Sequence, residues 1–143
     1  MAIKRTSEAQ WKGSIKDGGG SVRLGSGTFE GPYSFGSRFG DDVKHTNPEE
    51  LIAAAHAACF SMAFSLALGN AGYEPTNIHT TAAVFIDKRD DGFVIPKIDL
   101  TMEAEIPGIG DEEFQSIAKA AKEGCPVSRV LAAADISLTA TLK

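Results

Sequence analysis

The chain carries two cysteines, Cys59 and Cys125, and each sits where its surroundings set its reactivity. Cys59 lies in the apolar run NPEELIAAAHAACFSMAFSLAL, Asn47 to Leu68, with His56 one helical turn before it. A free cysteine there is a small hydrophobe, and apolar burial disfavours its thiolate unless a cation or donor stands near. Arg38, in the SRFG segment upstream, is the candidate cation. Phe35 and Phe39 flank it as apolar anchors, so its guanidinium can turn inward, stabilise a thiolate and present N–H donors to a peroxide oxygen. Glu49 can hold the guanidinium in position. Read singly, Arg38 is a solvated charge and Glu49 a first-turn carboxylate that favours the helix dipole. Glu49 precedes Cys59 by ten residues, about 15 Å along one helix, so the two side chains do not meet within that helix. An antiparallel copy of the helix from a second chain would bring Glu49 toward Cys59.

Cys125 precedes Pro126 at the start of a short helix, where backbone N–H groups and the helix dipole lower a thiol pKa, and Arg129 follows one turn on. The plain alternative is a cap or core residue. If the two cysteines meet in the fold, they support a cycle. A Cys59 thiolate attacks a peroxide O–O bond to give a sulfenic acid, Cys125 condenses with it to a disulfide, and an external dithiol reduces that bond. His56 could serve as a base, but a lone histidine on an enclosed helix is more often a hydrogen-bonded structural group, so it stays outside the catalytic set. His45 and His79 are peripheral.

The elements that must position these residues read clearly. AQWKGSI and SVRLGS are strands joined by a KDGGG hairpin turn, with a third strand at TFEGPYSF and a polar loop at GSRFGDDVKHT. The cysteine helix starts with Asn47 as cap, Pro48 at the first position and Glu50 where a capping-box carboxylate reaches back, and it ends near Gly69 to Gly72. Ile78, Thr80, Ala82, Val84 and Ile86 share one strand face. Asp91-Gly92 turns into a second strand with Ile98, Leu100, Met102, Ala104 and Ile106 on its inner face, and Pro96 marks an edge or a bulge. DEEFQSIAKAAKEG is a helix, PVSRVLAA a short one, and ISLTATL a strand. The order predicts an α+β fold with antiparallel sheet. The cysteine helix is apolar on nearly all sides and needs cover all round, which a sheet on one face and a second copy of the helix on the other would supply. A homodimer is therefore expected on structural grounds.

With 143 residues the chain fits one domain, 1–143; its composition is 43% hydrophobic and 23% charged, ordinary for a soluble protein. A net charge of −5 without basic runs argues against nucleic acid as partner. The N-terminus lacks the apolar core of a secretory signal, and the apolar run carries His56 and serines, so a buried helix in a cytoplasmic protein is expected rather than a membrane span. The cysteine and histidine spacings show no paired metal-binding pattern.

The stretch TNPEELIAAAHAACFSMA, with the W-x-G of the first strand, the SRF loop, DKRDDGF, PGI and GCPVS, resembles the OsmC/Ohr family of osmotically inducible and organic-hydroperoxide-resistance proteins over essentially the whole chain. The similarity is closest to the OsmC branch, since the N-terminal hairpin, with Arg23, does not fit the activating arginine of the Ohr branch. The resemblance implies an interwound homodimer of α+β subunits, with antiparallel sheet wrapped around a long central helix, that reduces organic hydroperoxides with thiols and needs no metal or organic cofactor. It implies Cys59 as peroxidatic cysteine, Cys125 as resolving cysteine, Arg38 as thiolate activator and Glu49 as its carboxylate partner, with a lipoyl-type or thioredoxin-like dithiol as reductant. Phe39, Phe60 and Met62 are expected along the approach to Cys59. A non-catalytic redox-sensing or apolar-ligand-binding dimer, and a purely structural stress protein, remain the competing readings.

Overall fold

The first hairpin pairs β1 (Ser7–Lys12) with β2 (Gly19–Leu24), and β3 (Glu30–Tyr33) joins β2 on its other side, all antiparallel. The computed structural model describes all residues from Met1 to Lys143, which fall into two compact units, Met1–Leu51 and Ile52–Lys143. β1 stops short of the predicted Ile15 because the turn begins early. Gly13 takes φ +88°, a left-handed conformation open to glycine. The Gly18 N–H then closes on the Ser14 carbonyl at 2.8 Å, and the Asp17 N–H on the Ser14 hydroxyl at 3.1 Å.

Where the sequence predicts a loop, the structure forms a short helix, α1 (Phe35–Phe39). Its cause is a reciprocal serine cap: Ser37 N–H donates to Ser34 Oγ at 3.2 Å, and Ser34 N–H to Ser37 Oγ at 2.9 Å. Ser37 Oγ also donates to the Thr46 carbonyl at 2.7 Å and Asn47 Nδ2 to the Ser37 carbonyl at 3.0 Å, which ties α1 to the start of the long helix α2 (Pro48–Asn70). Asn47 caps α2 as expected, accepting from Glu50 N–H at 2.8 Å. The Glu50 carboxylate does not complete a capping box; it accepts from the Thr46 hydroxyl at 3.2 Å. At the far end Gly72, at φ +89°, lets Tyr73 N–H reach the Leu68 carbonyl at 2.9 Å.

In Ile52–Lys143 the strands β4 (Asn77–Arg89), β5 (Gly92–Glu105) and β6 (Asp135–Leu142) form one sheet with β5 in the middle. β4 and β5 make the predicted antiparallel hairpin, and both predicted inward faces hold: Ile98, Leu100, Met102, Ala104 and Ile106 are buried and their β4 counterparts half-buried. Pro96 marks a bulge in a central strand, because Ile95 and Pro96 together stand opposite Ile86 between the Phe85–Lys97 and Asp87–Val94 pairs. The expectation of purely antiparallel sheet needs correction here, since β6 runs parallel to β5. The physical reason is the helical connection through α3 (Asp111–Gly124) and α4 (Pro126–Val130), a crossover long enough to return the chain in the same direction.

α2 seats His56, Phe60, Phe64 and Leu68, one stripe at four-residue spacing, in the core of this unit together with Leu100, Met102 and Phe114. By length and composition α2 is apolar enough to cross a bilayer, and the stripe from His56 to Leu68 is the part of it buried in the core. Phe64 is central: it stacks with Phe60 at 6.1 Å and meets Phe114 edge-on at 5.7 Å. Truncating it leaves a cavity that the sheet cannot close, so Phe64→Ala is expected to lower unfolding free energy by about 3–5 kcal/mol in urea titration; a loss under about 1 kcal/mol would show that this ring is not a core anchor.

Candidate active site

Cys125 is placed by two helices at once. Its N–H donates to the Ala121 carbonyl at 2.9 Å, ending α3, and its carbonyl accepts from Arg129 N–H at 3.0 Å, opening α4. Pro126 occupies the first position of α4, where no N–H is needed. The Cys125 side chain is fully buried in the core, and the partly buried Cys59 packs against that core from α2. Both are free thiols, and they belong to the same packed cluster.

The two sulfurs ionise unequally. Burial pushes Cys59 up, and Cys125 adds to the rise, while the Val127 N–H opposes it. Cys125 is also opposed by burial, yet it ends below the ordinary thiol range. The Ser128 N–H, the Cys59 thiol, the Ser128 hydroxyl and the Val127 N–H together outweigh desolvation, although no capping hydrogen bond closes onto the sulfur. Arg129 does not serve this sulfur: its Nε donates to the Glu123 carbonyl at 3.1 Å.

Behind Cys125 lies a partner that sequence reasoning set aside. His56 Nε2 and Ser128 Oγ are 2.7 Å apart, both side chains are buried, and His56 Nδ1 is buried without a partner. Burial holds the His56 pKa below its ordinary value near 6.5, which keeps the ring neutral. The sequence signal available for it was position: His56 leads the same four-residue stripe as Phe60, Phe64 and Leu68.

The other two candidates, Arg38 and Glu49, belong to Met1–Leu51 and pair with each other. Arg38 Nη2 reaches Glu49 Oε1 at 2.8 Å, and Nε lies 3.1 and 3.3 Å from its two oxygens. Glu49 is buried, whereas the Arg38 side chain is 38% exposed. Phe39 lies under the guanidinium at 5.1 Å and against Phe35 at the same centroid distance. Of the residues expected along the approach to Cys59, Phe60 is sealed in the core, and Met62, three residues after Cys59 on α2, is exposed. A helix apolar all round gives no sequence phase to tell buried positions from exposed ones.

A sequence profile of the family described as OsmC-like protein matches residues 40–140. The chain belongs to the OsmC family. It is 54% identical to peroxiredoxin OsmC of Escherichia coli over 144 aligned residues, spanning 100% of this chain and 99% of that protein. An organic hydroperoxide resistance protein-like relative from Staphylococcus aureus is 35% identical over 89 residues, 62% of this chain and 63% of its own length. Among solved structures, an organic hydroperoxide resistance protein from Elizabethkingia anophelis superposes with a TM-score of 0.77 at 27% identity, covering 100% of both chains.

His56 also gives this OsmC protein a pH signature. Its folded-state pKa lies below the unfolded value near 6.5, so the unfolded chain binds the extra proton and stability falls as pH drops below that value. The loss has a limiting slope of about 1.4 kcal/mol per pH unit. Melting at pH 7.5 and pH 5.5 is expected to show a smaller pH-induced decrease for His56→Gln than for the parent. Equal decreases would show that His56 contributes nothing to acid lability.

Proposed function

We propose that this protein is a thiol-dependent peroxidase that reduces organic hydroperoxides to alcohols, with Cys59 as the peroxidatic and Cys125 as the resolving cysteine. The observation that carries this reading is the packing of two free thiols, one partly exposed and one buried, in one cluster of a chain of the OsmC family. The names of its relatives, peroxiredoxin and organic hydroperoxide resistance protein, support the substrate class.

In the first step the Cys59 thiolate attacks the O–O bond of the hydroperoxide; a sulfenic acid forms on Cys59, and the departing alkoxide takes a proton to become the alcohol. Cys125 sulfur then attacks Cys59 sulfur, the S–O bond breaks, and water leaves. An external dithiol, lipoyl-type or thioredoxin-like, exchanges with the disulfide and is itself oxidised. Burial alone keeps Cys59 protonated, so the first step needs a cation, and we assign that role to Arg38. Its hold by the buried Glu49 carboxylate supports the assignment. The reaction needs no metal or organic cofactor, and the free thiols suit the reducing cytoplasm.

We further propose that both units, residues 1–143, act as one OsmC-like domain within a homodimer. The supporting feature is the second face of α2, where Met62 and Leu66 are 75% and 67% exposed. A second copy of the chain would cover these side chains. Sedimentation is expected to show a dimer that Met62→Lys with Leu66→Lys converts to monomer; a monomeric parent protein would remove this part of the proposal.

Rapid mixing of reduced protein with cumene hydroperoxide is expected to consume one equivalent of peroxide and form one disulfide. Cys59→Ser should abolish both. Cys125→Ser should retain a single turnover and leave Cys59 oxidised without a crosslink in mass spectrometry. Glu49→Gln, which weakens the hold on Arg38, should slow the first phase at least about tenfold. Peroxide consumption at the parent rate in Cys59→Ser would defeat the assignment.

A further inference from the structure

The His56–Ser128 contact is the one buried side-chain pair adjoining the thiols that the reaction above leaves without a role. Its chemistry turns on a single proton. A buried neutral imidazole carries one N–H, and the ring nitrogen without a partner is Nδ1. An orphaned buried donor is the rarer and costlier arrangement, whereas an unpaired acceptor is better tolerated. With the proton on Nε2, the ring donates to Ser128 Oγ across the 2.7 Å contact and leaves Nδ1 as an unpaired acceptor.

That choice decides what Ser128 can offer. A hydroxyl has one proton and two lone pairs. With a lone pair occupied by His56, its own O–H is free for another acceptor, and Ser128 stands three residues after Cys125 in the first turn of α4. In the opposite tautomer the hydroxyl proton would be spent on Nε2, and Ser128 could only accept from a protonated thiol.

We propose that His56 is a positioning residue for the resolving step: through Nε2–H it turns the Ser128 hydroxyl toward Cys125 and holds that sulfur ready to attack oxidised Cys59. This inference rests on the peroxidase reading, with Cys125 as the resolving cysteine. In the step it assists, Cys125 sulfur forms the S–S bond, the S–O bond of the Cys59 sulfenic acid breaks, and the departing hydroxide takes up one proton as water. No further oxidant or reductant enters. His56 touches neither peroxide nor the reacting sulfurs, so its influence is confined to this second step.

Two-phase kinetics separate the possibilities. Reduced protein is mixed with cumene hydroperoxide; peroxide loss reports the first phase, and acid-quench mass spectrometry with dimedone trapping reports disulfide and sulfenic acid in the second. His56→Leu and Ser128→Ala are each expected to slow disulfide formation at least about tenfold, the weight of one hydrogen bond to a charged group. Trapped Cys59 sulfenic acid should rise accordingly, with the first phase little changed. His56→Gln, whose amide N–H reaches near the Nε2 position, should restore most of the rate. Ser128→Ala carries the test alone if His56→Leu does not fold. Disulfide formation at the parent rate in Ser128→Ala, or equal slowing of both phases, overturns the proposal. A parent protein that consumes no peroxide shows no first phase at all, and in that case the peroxidase reading fails and takes this one with it.

Discussion

One stripe of α2, from His56 through Phe60 and Phe64 to Leu68, is pressed into the core formed with β5 and α3, and the thiol geometry depends on it. A helix locked by aromatic contacts at two successive turns cannot rotate without exposing rings that are fully buried. Cys59 is carried on the shoulder of that stripe, so its angle to the core is set by phenylalanines that take no part in its chemistry. Cys125 reaches the same place from the other direction, pinned between the end of α3 and the start of α4. The placing of both thiols in one cluster is thus a product of packing.

Electrostatics then divides labour between sulfurs that share one neighbourhood. Desolvation opposes charge on both, and only Cys125 has enough N–H and O–H groups nearby to overcome it. In Met1–Leu51, Glu49 grips the Arg38 guanidinium through Nε and Nη2, which leaves it N–H groups and its full positive charge.

The parts of the fold that were legible in the sequence are those whose signals are local. The β4 and β5 alternation, the Asn47 cap and the Pro96 bulge each follow from a few consecutive residues. α1 escaped because its cap uses serine at both ends, inside a glycine-rich stretch that reads as loop. The direction of β6 escaped because alternation reports which face is buried and carries nothing about polarity. At the site, the Arg38–Glu49 partnership was legible as matching chemistry at a helix entrance. The His56–Ser128 bond joins residues 72 positions apart, and no local pattern announces such a pairing.

The parallel docking of β6 on β5 also orders events in time. Cys59 emerges from the ribosome 66 residues ahead of Cys125, an interval of roughly 3–13 s at ordinary translation speed. Parallel pairing across a helical crossover is a slow, non-local contact, so it closes after α2 and the β4–β5 hairpin are available. Throughout that window the nascent chain has a lone sulfur with no intramolecular partner. Damage by peroxide during synthesis would then leave an oxidised Cys59 that its own polypeptide cannot repair.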